Sequence, residues 1–308
     1  MAAYDARILR LRLPEQDSLK NEAERCSADP GSLARIGRDV GHQVRIKRTD
    51  VDQFVAVYTV RQPNPDDPSR ADVVRTGLAG RERLGTDGEL DYAAVEATVV
   101  DAAPSGVRFF EEADEFGDRS YFVVIAPHGG KIEEPTDEQA TEVFSQLCTA
   151  GFPASMWVCK GFGDSTKGAF DRWHITSTDI HPASFPLLGS LMSRHFFYGV
   201  AFHGFARQDG EADIYVGGAA PLRLKAAVQS ALNRLGLPIE IKISTYEDSP
   251  KFQGFSPENV INRLAASGIH LEQSKEARGF HKEIAGAVAS VFTSRWRWLA
   301  WSSRSLFR

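Results

Sequence analysis

The feature that most constrains this chain is an alternation. From Tyr121 to Phe292, short β-branched and aromatic runs take turns with helical stretches of about 10–15 residues. The strand-like runs are YFVVIAP (121–127), ASMWVCK (154–160), RWHIT (172–176), FYGVAFHG (197–204), ADIYVGG (212–218), IEIKI (239–243) and GIHLEQS (268–274). Between and after them, residues 137–150, 184–194, 221–235, 258–267 and 281–292 carry helical apolar spacing. This pattern predicts an α/β domain built on a mostly parallel mixed sheet covered by helices on both faces. Ligands of such sheets bind beyond the carboxyl ends of the strands, so the polar residues at those ends are the first place to look for chemistry.

The first third reads differently. QVRIKR (43–48), QFVAVYTVRQ (53–62) and ADVVRTGL (71–78) predict strands, and a helix is expected near Asp17–Arg25. A small β-rich domain follows from these. Between Asp87 and Asp118 the acidic residues Asp87, Glu89, Asp91, Glu96, Asp101, Glu111, Glu112, Asp114, Glu115 and Asp118 face a lone basic one, Arg108. That run reads as a solvated connector. The expected division is residues 1–105 for the β-rich domain and connector, 106–292 for the α/β domain, and 293–308 for a basic aromatic tail.

Three strand ends carry chemistry. YFVVIAP runs into His128, two glycines and Glu133; FYGVAF ends on His203 and a glycine; GIHL ends on Glu272. Two imidazoles and a carboxylate leave the fourth position of a tetrahedral ion open, the arrangement of a catalytic zinc, and a separate carboxylate can then shuttle the proton of the activated water. The plainer alternative is two turn histidines with satisfied nitrogens and a salt-bridged surface glutamate.

HGGKIE (128–133), FDRWHITST (170–178), AFHG (201–204), YVGG (215–218), NVINR (259–263) and LEQS (271–274) occur in that order. Together they resemble the poly-γ-glutamate hydrolase family, also described as phage-related replication proteins, over roughly residues 118–292. The resemblance implies a zinc-carboxypeptidase-like α/β fold, one Zn²⁺ per chain and hydrolysis of γ-glutamyl amide bonds. It places the zinc ligands on His128, Glu133 and His203 and the general base and acid on Glu272. Carboxypeptidases themselves space His and Glu as H-x-x-E; here four residues intervene, so the loop must follow a different path.

A γ-glutamyl polymer is polyanionic and calls for cationic partners, Arg above all. Arg172, Arg263 and Arg278 lie within or beside the motifs and are candidate substrate contacts, with surface or salt-bridge roles as the alternative. His174 is a candidate to orient substrate or a metal ligand, against a satisfied core histidine. Asn262 is a candidate substrate contact, against a turn cap. His181, His195, His270 and His281 read as structural.

The formal charge of −5 argues against a nucleic-acid coat, so the expected partner is an acidic peptide or γ-glutamyl polymer. The rival readings are a phage-derived nucleic-acid-associated replication protein and a metal-free, carboxylate-binding relative. GFGDSTKG (161–168) lacks the order of a phosphate-binding P-loop and reads as a mobile loop, a candidate lid. No nucleophile elbow is present for a serine hydrolase. Residues 293–308 hold Arg295, Arg297, Arg304 and Arg308 with Trp296, Trp298 and Trp301 and no acid, and read as a short tail folded on an apolar patch or loose; a membrane anchor and a nucleic-acid tail are the sharper alternatives. Cys26, Cys148 and Cys159 show no paired spacing and fit buried thiols in a reducing cytosol. With no secretory signal or transmembrane run, the expected location is cytoplasmic, with release by lysis as the other route.

Overall fold

The computed structural model describes residues 2–51, 53–65, 71–102, 108–117, 121–245, 247 and 252–305, the last twelve of these without their side chains. Two compact units divide the chain, residues 1–110 with 161–189 and residues 111–160 with 190–308. The chain therefore passes between units three times, whereas the sequence pattern predicts a single boundary in the acidic stretch.

The first unit contains six strands, β1 (Ala3–Arg10), β2 (Arg25–Ala28), β3 (Gln43–Arg48), β4 (Val55–Pro63), β5 (Val73–Thr76) and β6 (Leu90–Glu96), with helices α1 (Pro30–Arg35) and α2 (Leu78–Arg83). The strands close into a barrel in the order β1-β5-β2-β4-β3-β6, with β1 and β6 paired antiparallel. Pairs β1–β5 and β2–β4 are parallel. Closure removes the exposed edges that a small sheet otherwise leaves. Alternating residues, among them Ile8, Val44, Ile46, Ala56, Tyr58 and Val95, fill the interior. The helix expected near Asp17–Arg25 is only a 3₁₀ turn at Asp17–Leu19 followed by β2.

The return segment is tied to this barrel by polar contacts. It holds α4 (Ala169–Trp173), where the sequence pattern predicts a strand, and the start of α5 (Pro186–Met192). Buried Arg83 donates to the carbonyls of Ala23 and Val57 and to those of Asp171, Arg172 and His174. Gln43 donates to Asp179 O, and Arg25 pairs with the Asp179 carboxylate at 2.6 Å.

The second unit is a seven-stranded mixed sheet, order β12-β11-β13-β10-β8-β9-β7. Its strands are β7 (Phe109–Phe116), β8 (Phe122–Gly130), β9 (Ala154–Gly161), β10 (Phe196–Gly204), β11 (Ile214–Gly217), β12 (Ile241–Ile243) and β13 (Ala265–Gln273). The helices are α3 (Thr136–Thr149), α6 (Leu222–Asn233), α7 (Val260–Leu264), α8 (Lys275–Arg278) and α9 (His281–Ser305). Strands β8, β10 and β13 run parallel, and β11 runs antiparallel to β13. The stretch read as connector contains two strands, β6 in the barrel and β7 at a sheet edge, while its residues 103–107 and 118 lie outside the described residues. Three acids of β7 are paired, Glu111 with Trp157 Nε1 at 2.8 Å, Glu112 with Lys160 at 2.8 Å and Glu115 with Arg194. Charge on an edge strand is a usual guard against unwanted strand pairing.

Alternation along β10, β13 and β11 sorts the side chains. Val200, Phe202, Ile269, Leu271, Ile214 and Val216 join residues of α3, α6 and α9 in the main core. The intervening positions therefore face the other way. On that face Gly199 lets α7 approach, since a Cβ there would lie 2.7 Å from Ile261 Cδ1. His203, His270, Glu272 and Tyr215 share it by parity and register, with Glu272 between His203 on β10 and Tyr215 on β11. Helix α9 extends the expected 281–292 helix through the tail to Ser305, whose side chains and residues 306–308 lie outside the described residues. No helix among the described residues is long and apolar enough to cross a membrane.

Candidate metal centre

His128 stands at the end of β8, and the loop after it explains the unusual spacing to Glu133. Gly130 takes φ +67°, the Glu133 N–H donates to His128 O at 2.8 Å, and Ile132 N–H donates to Gly129 O. The loop is one tight curl that returns the carboxylate to the imidazole. Gly129 has no room for a side chain, as a Cβ would fall 2.6 Å from Asp137 Cβ and 3.1 Å from Cys159 O. Glu133 Oε2 then sits 3.1 Å from His128 Nδ1 and 3.7 Å from His203 Nδ1, and the two Nδ1 atoms are 3.2 Å apart. All three side chains are buried.

These atoms fit a tetrahedral zinc. Ligands about 2.0–2.2 Å from the ion lie about 3.3–3.6 Å from one another, close to the three edges observed. The donor chemistry agrees. Burial, helped by the neighbouring His270 and opposed by Glu133, pushes His203 down to about 3, so its imidazole is neutral as a metal ligand requires. Its Nε2 is buried with no hydrogen-bond partner. The Gly204 N–H donates to Glu133 Oε2 at 2.9 Å and fixes the carboxylate from behind.

Glu272 is half-buried beside this triad. Burial raises its pKa above the ordinary glutamate value, helped by Glu133 and opposed by His270 and His128. That is the direction a general base and acid needs at neutral pH. Its Oε1 is held by His270 Nε2 at 2.8 Å. The Arg278 guanidinium is in the electrostatic field of both Glu133 and Glu272, and its Nε and Nη1 are buried without hydrogen-bond partners. Gly204 makes room for it, because a Cβ there would meet Arg278 Nη1 at 2.0 Å.

The other candidate residues have partners of their own. Arg172, in the first unit, is fully buried and donates to Lys167 O, Gln53 O and Val55 O and to Asp164, which consumes its guanidinium. His174 belongs to that unit too, where Nδ1 meets Glu24. Asn262 pins a loop: Nδ2 donates to Gly254 O and Ser256 O, and Oδ1 accepts from Ala219 N. Arg263 is half-buried in the last turn of α7. The 161–168 loop is pinned by Asp164, which accepts from Thr166 N, Lys167 N and Arg172. His270, read as structural, is inside the site. The signal was an H-x-E pair on a strand, since residues two apart share a face.

The profile of the family described as Poly-gamma-glutamate hydrolase matches residues 110–289, more than half of the chain. This chain belongs to the poly-gamma-glutamate hydrolase family. It is therefore a member of a family of hydrolases. The solved structure of a bacteriophage poly-gamma-glutamate hydrolase is 24% identical, with a TM-score of 0.48, covering 63% of this chain and 93% of that one. Zinc-free apo YNDL is 21% identical, with a TM-score of 0.46, covering 59% of this chain and 89% of that one. The rationally designed apDPBB_sym_79 protein is 29% identical, with a TM-score of 0.24, covering 30% of this chain and 96% of that one. No curated relative matches.

Proposed function

We propose that this member of the family cleaves γ-glutamyl amide bonds of an acidic, poly-γ-glutamate-like polymer as a zinc enzyme. The observation that carries this reading is the convergence of His128, Glu133 and His203 within 3.1–3.7 Å of one another, beside the half-buried Glu272. His128 and His203 would hold zinc through Nδ1 and Glu133 through Oε2. When bound there, the ion polarises the scissile carbonyl and acidifies a water.

The chain's own residues do the rest. Glu272, anchored through Oε1, takes the water proton on its other oxygen as the hydroxyl adds to the carbonyl carbon. It then delivers that proton to the leaving nitrogen as the carbon–nitrogen bond breaks, giving a carboxylate and an amine. Arg278 offers unpartnered donors to a substrate carboxylate or the developing oxyanion, with Arg263 as the further cationic candidate. Burial of the triad keeps competing water away and strengthens these charges.

Elemental analysis tests the reading. Purified protein is expected to carry close to one zinc per chain, lost in His128→Ala and kept in Glu272→Gln. Release of new amines from poly-γ-glutamate should fall at least about 100-fold in Glu272→Gln. No bound metal, and no turnover after zinc is added, would overturn it.

A further inference from the structure

We propose that His270 is the positioning residue of Glu272, holding its carboxylate through Nε2–H so that the other oxygen stays free to move protons. This inference rests on the hydrolase reading above, and it names a residue which that reading does not use.

The ring has a determined tautomer. Asn259 caps α7 with its side-chain oxygen, which accepts from Ile261 N at 3.2 Å. That bond leaves the Asn259 Nδ2 group facing His270 Nδ1 at 3.4 Å. An amide NH₂ only donates, so Nδ1 is the acceptor and the ring proton sits on Nε2. The Nε2–H therefore donates to Glu272 Oε1 at 2.8 Å. Both His270 and Asn259 are buried, so water offers no competing partner.

The ring is also caged. Gly254, at φ +60°, lays its backbone on it, and a Cβ there would meet His270 Cβ and Cγ at 2.6 Å. Asn262 pins Gly254 through the carbonyl oxygen at 2.7 Å. On another side the His203 ring lies 4.3 Å away, centroid to centroid. His270 and Glu272 stand two residues apart on β13, so strand geometry presents them together. A purely space-filling histidine would need neither the oriented Asn259 nor the carboxylate.

The test uses the full chain loaded with zinc, as wild type, His270→Leu and His270→Gln, with poly-γ-glutamate as substrate. His270→Leu is expected to retain zinc and a KM within about 2-fold while kcat drops about 10–100-fold, the usual cost of removing an outer-shell partner. The Gln amide can still donate, so His270→Gln should recover part of the lost kcat. Histidine ¹⁵N spectra of the wild type should show an Nε2–H tautomer for His270, assigned by its loss in His270→Gln and shifted in Glu272→Gln. Wild-type kcat in His270→Leu, or an Nδ1–H tautomer, would overturn the role. If His270→Leu does not fold, His270→Gln at or below a tenth of wild-type kcat together with an Nδ1–H tautomer would overturn it. A wild-type chain with no turnover would fail the hydrolase reading itself, an outcome distinct from an active wild type matched by its Leu variant.

Discussion

At the scale of single residues, two positions turn packing into measurable chemistry. Gly204 follows His203, and its missing Cβ is the space the Arg278 guanidinium occupies. Gly204→Ala must push that flexible end aside. KM for a polyanionic substrate is expected to rise several-fold, while urea unfolding shifts by no more than about 0.5 kcal/mol. Glu24 sits in the barrel unit. Burial pushes its pKa up, but His174, Arg83 and the Thr176 N–H outweigh this and hold it at about 2. A depressed carboxylate stabilises the fold above its unfolded value near 4.5, and that stability is lost as pH falls toward 2. A shift of this size is worth up to about 3 kcal/mol. Denaturant unfolding from pH 5 to about 2 should therefore show a steep loss in wild type and a shallow one in Glu24→Gln, whose starting stability is lower.

Among the elements, helix α3 and strand β13 are joined by a reciprocal amide pair. Gln139 Nε2 donates to Gln273 Oε1, and Gln273 Nε2 donates to Gln139 Oε1, both at 2.8 Å and fully buried. Gln273 also reaches His203 O at 3.3 Å, so the pair braces the strand end that carries His203. Gln273→Leu leaves the Gln139 amide unsatisfied and should cost about 1–3 kcal/mol in urea unfolding. The double change Gln139→Leu with Gln273→Leu should recover much of that loss, because an apolar pair leaves neither side-chain amide unpaired. The strands β8, β9, β10 and β13 were legible because apolar runs of 4–8 residues bounded by turn residues are the local signature of a sheet interior. The β7 strand was not, because exposed acids on an edge look like a connector until their partners Trp157 and Lys160 are known. RWHIT failed for a similar reason: its alternation is satisfied by Arg172 and Trp173 burying themselves in a short helix.

For the whole molecule, the return of residues 161–189 to the first unit sets how the chain can be divided. Its anchors Glu24, Arg25, Gln43 and Arg83 all lie before residue 105. A chain beginning at residue 106 would carry this segment without any of them, with the buried Arg172 guanidinium robbed of Gln53 O and Val55 O. Such a truncation is expected to elute as aggregate in size-exclusion chromatography and to unfold less cooperatively than the full chain.

The amino-acid sequence by itself determined the alternating strands and helices and the strand-end placement of His128, Glu133, His203 and Glu272, while its six ordered motifs carried the resemblance to the family. The first two are matters of periodicity and of residues that follow a strand directly, which short-range geometry fixes. Tertiary structure alone decided that the barrel closes, that 161–189 belongs to it, and that Arg172 and Asn262 serve as pins. It also decided that His270 faces Glu272. Each of these depends on which distant backbone carbonyl, capping amide or carboxylate arrives beside a side chain, and hydrogen bonds between residues far apart in sequence leave no local periodic trace.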